Sequence, residues 1–443
     1  MNREQTFKNL YNAIHLENTS DYDSAIKNIT KKLNESYYVD IVDEIDLEID
    51  HCFVVGSIGR GTAIKKISDV DMLFVLPYSV YERFNQYAWN GQSALLQDVK
   101  QYLIERYPRT EIKGDGQAVV IEFDKFSIDL VPVFSNYDGS FTYADSNNGG
   151  TWKNTNPIPE QKEASNMNII TNNNYIELCN FVRLWKNTNG FVFGGILIDT
   201  FVRELFVKNP QFNNYDFSEF HEIIIAFLEL LSKKDKDNVK YYALGSYQEI
   251  IDKGNGDCIK NAKVFLDKFA KTNNNELEIE NVYLAMFGNK FTESLVDGCR
   301  TLVIQEAQRK YNFVNEEEFI ENLFPVNIKY DLEIDCTVTA DGFRPKLLSM
   351  FIWLPIKRKL EFFVKRCNVP HPYDIYWKVR NTGTEAYKRN MLRGNIFKGN
   401  TSRIERSNFG GNHYVECYII KKGICVARRK LPVIINENYN DLC

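Results

Sequence analysis

Long apolar runs are missing from this 443-residue chain, and no Cys-x-x-Cys pair and no internal repeat occurs in it. The longest apolar stretches, such as Phe191 to Ile198, are short and broken by glycine. A bilayer-spanning helix needs about 20 consecutive apolar residues, so no membrane partner is expected. The nine cysteines are odd in number and scattered, which excludes a disulfide framework and a structural zinc knuckle. The opening residues Met1-Asn2-Arg3-Glu4-Gln5 are polar, so no secretory signal is expected and a cytoplasmic location is. Of the five histidines, His371 and His413 have no carboxylate or cysteine spaced to form a metal or nucleophile site, and both read as structural. What remains, 44% hydrophobic and 26% charged residues, is ordinary globular composition, long enough for two or three domains.

Charge is unevenly placed. Residues 341–430 carry 20 Lys and Arg against 6 Asp and Glu, while residues 1–340 carry 34 against 51. A net charge of −5 therefore hides a basic C-terminal third. Such a stretch either contacts a polyanion or draws two domains of one chain together.

Hydrophobic spacing divides the chain in three. The first ~50 residues have helical period, as do 92–106, and most of 172–320 follows it, as in Tyr175–Trp185, Ile196–Phe206, His221–Leu231, Cys258–Phe269 and Thr301–Gln308. Between these lie strand patterns. Phe53-Val54-Val55 delivers a turn, Gly56-Ser57-Ile58-Gly59-Arg60-Gly61-Thr62, with a helix expected to begin near Gly61-Thr62. Asp71 to Leu76 is a second strand, and 118–123 with 127–133 form a hairpin about Asp124-Lys125-Phe126, the second strand ending near Pro132. After Phe324-Pro325, strands at Val326–Val338, Pro345–Phe351, Asp374–Val379, Leu392–Phe397, His413–Ile420 and Ile424–Arg428 have the texture of a β-sandwich.

The turn at Gly56-Ser57 precedes Ser68-Asp69-Val70-Asp71 by about a dozen residues. Side chains two apart on a strand share a face, so Asp69 and Asp71 share one site. A third carboxylate, Asp129, stands on the opposite face from its apolar neighbours Ile128 and Leu130. Paired carboxylates beside a phosphate-wrapping turn suit two-metal nucleotidyl transfer, in which one ion lowers the pKa of an attacking hydroxyl and the other neutralises a triphosphate. Mg²⁺, with an octahedral oxygen shell, is the expected ion, and Mn²⁺ the alternative.

The ordered set Gly56-Ser57, Asp69-x-Asp71 and Asp129 resembles the polymerase-β-like nucleotidyltransferase superfamily. The run from Gly56 to Asp71 is similar, more closely, to the bacterial cGAS/DncV-like nucleotidyltransferases, also called SMODS synthases. Val182-Arg183-Leu184-Trp185-Lys186, Ile196 to Thr200, Leu244 to Gln248 and Met286 to Phe291 resemble that family's later helices. Tyr376 to Gly383, Leu392-Arg393-Gly394 and His413 to Tyr418 resemble the AGS-C domain, a sensor module attached to some of these synthases. The fold implied is α+β: a nucleotidyltransferase core (1–170), a helical lobe (171–325) and a C-terminal, mostly-β sandwich-like domain (326–443). The resemblance implies that Asp69, Asp71 and Asp129 hold two Mg²⁺, that Ser57 contacts the donor triphosphate with Gly56 allowing close approach, and that Lys186 reaches the same triphosphate. Gln117 and Ser246 are further candidate nucleotide contacts. Relatives often carry a serine where this chain has Gly194-Gly195, so backbone N–H groups there share that role.

The implied activity is synthesis of a cyclic di- or trinucleotide from nucleoside triphosphates, which switches on a downstream effector during phage infection. Two alternatives stand beside it: a linear oligonucleotide synthase or tailing enzyme, and a nucleotide- or RNA-binding sensor with little turnover. RNA or another polyanion is the partner expected at the basic third, through Lys357, Arg358, Lys359, Arg380, Arg389 and Arg393.

Overall fold

The computed structural model describes residues 2–16, 19–41, 44–65, 69–295, 317–339, 345–351, 354–382, 385–386, 389 and 391–436. Ser68, Gly383 and the helix expected at Thr301–Gln308 lie outside them. Among the described residues no helix is long and apolar enough to cross a membrane, and the seven cysteines are free.

Helices α1 (Arg3–Ile14) and α2 (Ser20–Tyr37) lead into β1 (Cys52–Val54), the one-turn α3 (Gly56–Gly59) and β2 (Asp69–Val75). Then come α4 (Tyr78–Asn85), α5 (Gly91–Arg106), β3 (Glu111–Asp115), β4 (Ala118–Glu122), β5 (Ser127–Ser135), β6 (Phe141–Asp145) and β7 (Thr151–Thr155). These strands form one sheet in the order β1-β2-β5-β4-β3, with β6 paired to β5 and β7 to β6. Only the β2–β5 pair is parallel among them. Alternation splits the faces: Val70, Met72, Ile128 and Leu130 are buried with Leu95, Leu96 and Val99 of α5 and Ile29 and Leu33 of α2. The odd-numbered positions, with the three aspartates, face the other way.

Two local expectations are corrected. The helix of the turn begins at Gly56 instead of near Gly61-Thr62, because Gly61, at φ +70°, takes the left-handed conformation that ends it. Strand β5 runs past Pro132 to Ser135. Proline is tolerated because Leu130 is the last β5 residue paired with β4 and Val133 the first paired with β6.

The helical lobe contains α6 (Pro157–Ile170), α7 (Asn174–Asn189), α8 (Gly195–Lys208), α9 (Phe220–Ser232), the hairpin β8 (Lys240–Tyr242) and β9 (Glu249–Ile251), α10 (Asp257–Ala270), α11 (Glu276–Phe287) and α12 (Asn289–Ser294). Helix α7 is its centre, with Tyr175, Leu178, Phe181, Val182 and Trp185 all buried. Helix α1 packs here too, with Phe7 against Phe181, Phe220 and Tyr283. Glu177 of α7 is also buried, and that burial pushes its carboxyl up to about 8. Because the folded state then binds the extra proton, Glu177 costs stability as pH rises from the ordinary carboxylate value toward 8. Glu177→Gln is therefore expected to stabilise the chain by about 2 kcal/mol at pH 8 and negligibly at pH 4, read from urea unfolding at the two pH values.

The C-terminal domain has β10 (Leu332–Thr339), β11 (Lys346–Leu347), β12 (Lys359–Cys367), β13 (Asp374–Arg380), β14 (Arg393–Gly399), β15 (Ser402–Arg406), β16 (Gly411–Lys421) and β17 (Ile424–Ile435). Two antiparallel sheets, β11-β10-β12-β15 and β14-β13-β16-β17, share one core that includes Ile334, Cys336 and Phe362 from the first and Trp377, Val415 and Cys417 from the second. The strand expected from Val326 begins only at Leu332. Residues 326–330 instead run beside β17, with a single parallel bridge between Val326 and Cys425. The strand expected over Pro345–Phe351 shortens to β11 and a 3-10 turn, Leu348–Met350.

Candidate active site

Strand β1 delivers its chain to β2 through a turn with no spare room. Gly56 sits at φ +64°, and a Cβ there would lie 1.9 Å from Asp71 Oδ2. Only glycine lets this backbone approach the carboxylate so closely. The turn is tied by Val55 N–H to Asp71 O (2.9 Å) and by Thr62 N–H to Ser57 O (2.9 Å).

Across the parallel ladder Asp71 stands directly opposite Asp129, with Asp69 opposite Ser127. Burial and the neighbouring Asp69 charge raise the Asp71 carboxyl, while Lys329 and Arg60 pull it back. Burial likewise pushes Asp129 up to about 6, against the pull of Lys329 and with the push of Asp69 and Asp71. Three carboxylates on one face thus lack the positive charge that would make all of them comfortable as anions. The Asp69 carboxylate is held by a cation already, the Lys329 ammonium 2.9 Å from Oδ2, and by the Asn327 amide donating to Oδ1. As they stand, no three carboxylate, imidazole or thiolate groups among the described residues converge to hold a metal. The donor set still fits a hard divalent ion: all oxygen, anionic, gathered on one sheet face, and with a cation seated at one member.

A cavity of about 850 Å³ opens over this face. Gly56, Ser57, Asp69, Asp71, Gln117, Lys186, Gly194 and Gly195 line it, so the structure brings most of the expected site together. Burial, with the Arg183 charge beside it, pulls the Lys186 ammonium down to about 8 despite the attraction of Asp69. Asp129 stands opposite Asp71 on the ladder but does not line the cavity, and Ser246 is not brought in. Its hydroxyl donates to Glu160 Oε1 at 2.9 Å, and Glu160 is the residue that faces the cavity.

Behind the cavity lies a charge cluster that sequence patterns did not reveal. Asp199 of α8 is fully buried and accepts from Arg60 Nε (2.8 Å), Thr62 Oγ1 (2.9 Å), Arg183 Nη1 (2.7 Å) and Arg183 Nη2 (3.0 Å). Burial alone would raise its carboxyl, but Arg183 and Arg60 outweigh that and hold it at about 2. Arg60 and Thr62 belong to the turn that follows β1 and Arg183 to the helix that carries Lys186. The cluster therefore fixes the two walls of the cavity against each other. Asp199 was visible as a lone charge in the apolar run from Ile196 to Val202, but Arg60 and Thr62 are over 130 residues away and Arg183 stands on another helix. Asn327 and Lys329 gave no signal at all, since Val-Asn-Ile-Lys-Tyr reads as a strand with a solvated face.

The basic third is partly matched from within the chain. Arg380 pairs with Glu317 (3.4 Å), Arg389 with Glu385 (3.5 Å) and Arg393 with Glu405 (2.7 Å). Lys378 and Arg428 flank the buried Glu416, at 3.3 and 3.1 Å. Arg389 and Arg393 stay exposed despite these partners, and Lys357 and Lys359 are exposed too.

Known proteins resemble the chain in its domains and in its fold. Residues 1–168 match the model of the Second Messenger Oligonucleotide or Dinucleotide Synthetase (SMODS) domain, and residues 314–436 that of the Adenylyl/Guanylyl and SMODS C-terminal sensor domain (AGS-C). Among solved structures, E. coli CdnC with ATP superposes with a TM-score of 0.50 at 17% identity, covering 65% of this chain and 98% of CdnC. The Vibrio cholerae DncV cyclic AMP-GMP synthase does so with a TM-score of 0.50 at 12% identity, covering 66% and 98%. At such identities the likeness is one of fold. No curated protein matches the chain. The chain thus carries a SMODS nucleotidyltransferase domain at its start and an AGS-C sensor domain towards its end.

Proposed function

We propose that this chain joins nucleoside triphosphates into a cyclic di- or trinucleotide second messenger by two-metal nucleotidyl transfer, in antiphage (CBASS-type) signalling to a downstream effector. The observation that carries the reading is the pairing of Asp71 with Asp129 across β2 and β5, over a turn where Gly56 leaves no room for a side chain. Two Mg²⁺ or Mn²⁺ ions held by Asp69, Asp71 and Asp129 would supply hydroxyl activation and charge neutralisation. Ser57 and the Lys186 ammonium grip the donor triphosphate from opposite walls, Lys186 as a point charge. Gln117 and the backbone at Gly194 and Gly195 complete the nucleotide contacts. In each transfer a ribose oxygen bonds to the α-phosphorus as pyrophosphate leaves, and a second transfer closes the ring. A cavity of about 850 Å³ is near the upper end of ligand pockets, about 300–1,000 Å³, and suits two nucleotides better than one. E. coli CdnC is seen with ATP, and DncV is a cyclic AMP-GMP synthase, which supports the same substrate class.

The test is mass spectrometry of products from mixed nucleoside triphosphates with Mg²⁺, before and after phosphatase, with and without added structured RNA. A cyclic product lacks terminal phosphates and is unchanged by phosphatase. A product trimmed by phosphatase identifies a linear synthase instead. RNA, as the polyanion partner, is proposed to meet the exposed Lys357 and Lys359, and its binding should weaken steeply with salt.

A further inference from the structure

Asp69 and the residues that hold it belong to different domains. Asn327 and Lys329 lie about 260 residues further along the chain, yet together they engage both oxygens of the Asp69 carboxylate. Their segment is built into the C-terminal domain. Cys425 N–H donates to Pro325 O (2.8 Å), Asn327 N–H to Cys425 O (2.9 Å) and Lys329 N–H to Val426 O (3.0 Å), which fastens residues 325–329 to β17. Between the two polar residues, Ile328 is buried with Ile320, Ile396, Tyr418, Ile420 and Cys425. The C-terminal core thus sets the backbone from which Lys329 reaches out.

The β16–β17 hairpin is in turn seated on the catalytic half. Lys422, at its tip, pairs with Glu122 and, at 3.9 Å, with Glu111 on the edge of the catalytic sheet. Arg428 donates to Asn187 O (3.3 Å), one residue beyond Lys186. At Gly190 a Cβ would lie 2.3 Å from Arg428 Cγ. Docking of one hairpin therefore fixes both the end of α7 and the position of Lys329.

An ammonium and a divalent cation need the same carboxylate lone pairs, so they exclude each other at Asp69. We propose that the C-terminal domain restrains the synthase with a tethered ammonium: in the docked arrangement Lys329, steadied by Asn327, occupies Asp69 in place of a catalytic cation. A trigger that shifts the hairpin withdraws Lys329 and opens the metal site. The inference rests on the two-metal reading of Asp69, Asp71 and Asp129. Its energetics are those of a binding-competent state that is a minor fraction of the population, so the apparent metal affinity falls by that fraction.

Mn²⁺ binding to the full chain without nucleotide, read from the electron paramagnetic resonance signal of the free ion, tests it independently of turnover. Lys329→Met is expected to tighten Mn²⁺ binding by about tenfold or more. Lys422→Gln, which breaks the pairing with Glu122 and Glu111 and adds no negative charge to the sheet face, is expected to move affinity the same way. In both backgrounds Asp71→Asn should abolish the tight site. If both variants bind Mn²⁺ with wild-type affinity while Asp71→Asn still removes it, the metal site stands and the tethered-ammonium proposal falls. If Asp71→Asn changes Mn²⁺ binding in no background, the two-metal reading itself fails and takes the proposal with it.

Discussion

Asp71→Asn is expected to lower nucleotide transfer by on the order of 10³-fold or more, equivalent to about 4 kcal/mol of transition-state stabilisation, while leaving the fold intact. The stability half of this expectation has a physical origin. Burial and the Asp69 charge already disfavour the ionised Asp71, so a neutral isostere removes repulsion from the folded state. In the two-metal reading a divalent ion would compensate this unfavourable charge density. Gly56→Ala should produce the same loss by another route. Its Cβ would meet Asp71 Oδ2 at 1.9 Å, at a φ of +64° that alanine adopts only at a cost of about 1–2 kcal/mol. Incorporation of labelled nucleoside monophosphate, alongside circular dichroism of each variant, checks both. Wild-type turnover in Asp71→Asn removes that residue from the chemistry.

Asp199→Ala is expected to be the most destabilising single change in the catalytic half, at about 3–5 kcal/mol. The carboxylate is fully buried and accepts four hydrogen bonds from Arg60, Thr62 and Arg183, so its removal leaves two buried guanidinium groups facing each other. Its pKa gives a second signature. A carboxyl held at about 2 stabilises the fold fully above the ordinary value near 4, and the contribution is lost as pH falls toward 2. The stability gap between wild type and Asp199→Asn in urea should thus be largest above pH 4 and shrink below it. A gap under about 1 kcal/mol at pH 7 would mean that the cluster is not what holds the turn to the helical lobe.

The parts of the site visible in the sequence were those encoded by short periods. Asp69 and Asp71 share a face because strands repeat every two residues, and Asp129 stands out because Ile128 and Leu130 must face the core. Gly56 is informative for a similar reason, since a turn that passes so near a carboxylate excludes every side chain. The contacts that were not legible join distant segments. Nothing near Lys329 marks it as a partner of Asp69, and Ser246 looked like a substrate contact until Glu160 was found between it and the cavity. The same holds for the fold. Helices α5, α7, α8, α9 and α10 follow from apolar spacing, whereas β12 was hidden: its outer half, Val364 to Cys367, includes Lys365 and Arg366 and breaks the alternation.

Charge showed the same division between composition and pairing. The excess of Lys and Arg in 341–430 was plain, but which of them face solvent depended on acidic partners such as Glu317, Glu405 and Glu416. Much of that excess is spent inside the chain, in the sensor core and against Glu122 and Glu111 of the catalytic sheet. The surface left for a polyanion is correspondingly narrower than the count of cations suggested, with Lys357, Lys359, Arg389 and Arg393 among the cations that stay exposed.

The measurement that bears most directly on the account is anomalous diffraction from crystals of the full chain grown with Mn²⁺ and a non-hydrolysable nucleoside triphosphate. Two Mn²⁺ peaks bounded by the carboxylates of Asp69, Asp71 and Asp129, with the triphosphate between Ser57 and Lys186, are the predicted result. Nucleotide bound in the cavity with no Mn²⁺ at those carboxylates, or with Mn²⁺ elsewhere, would contradict it.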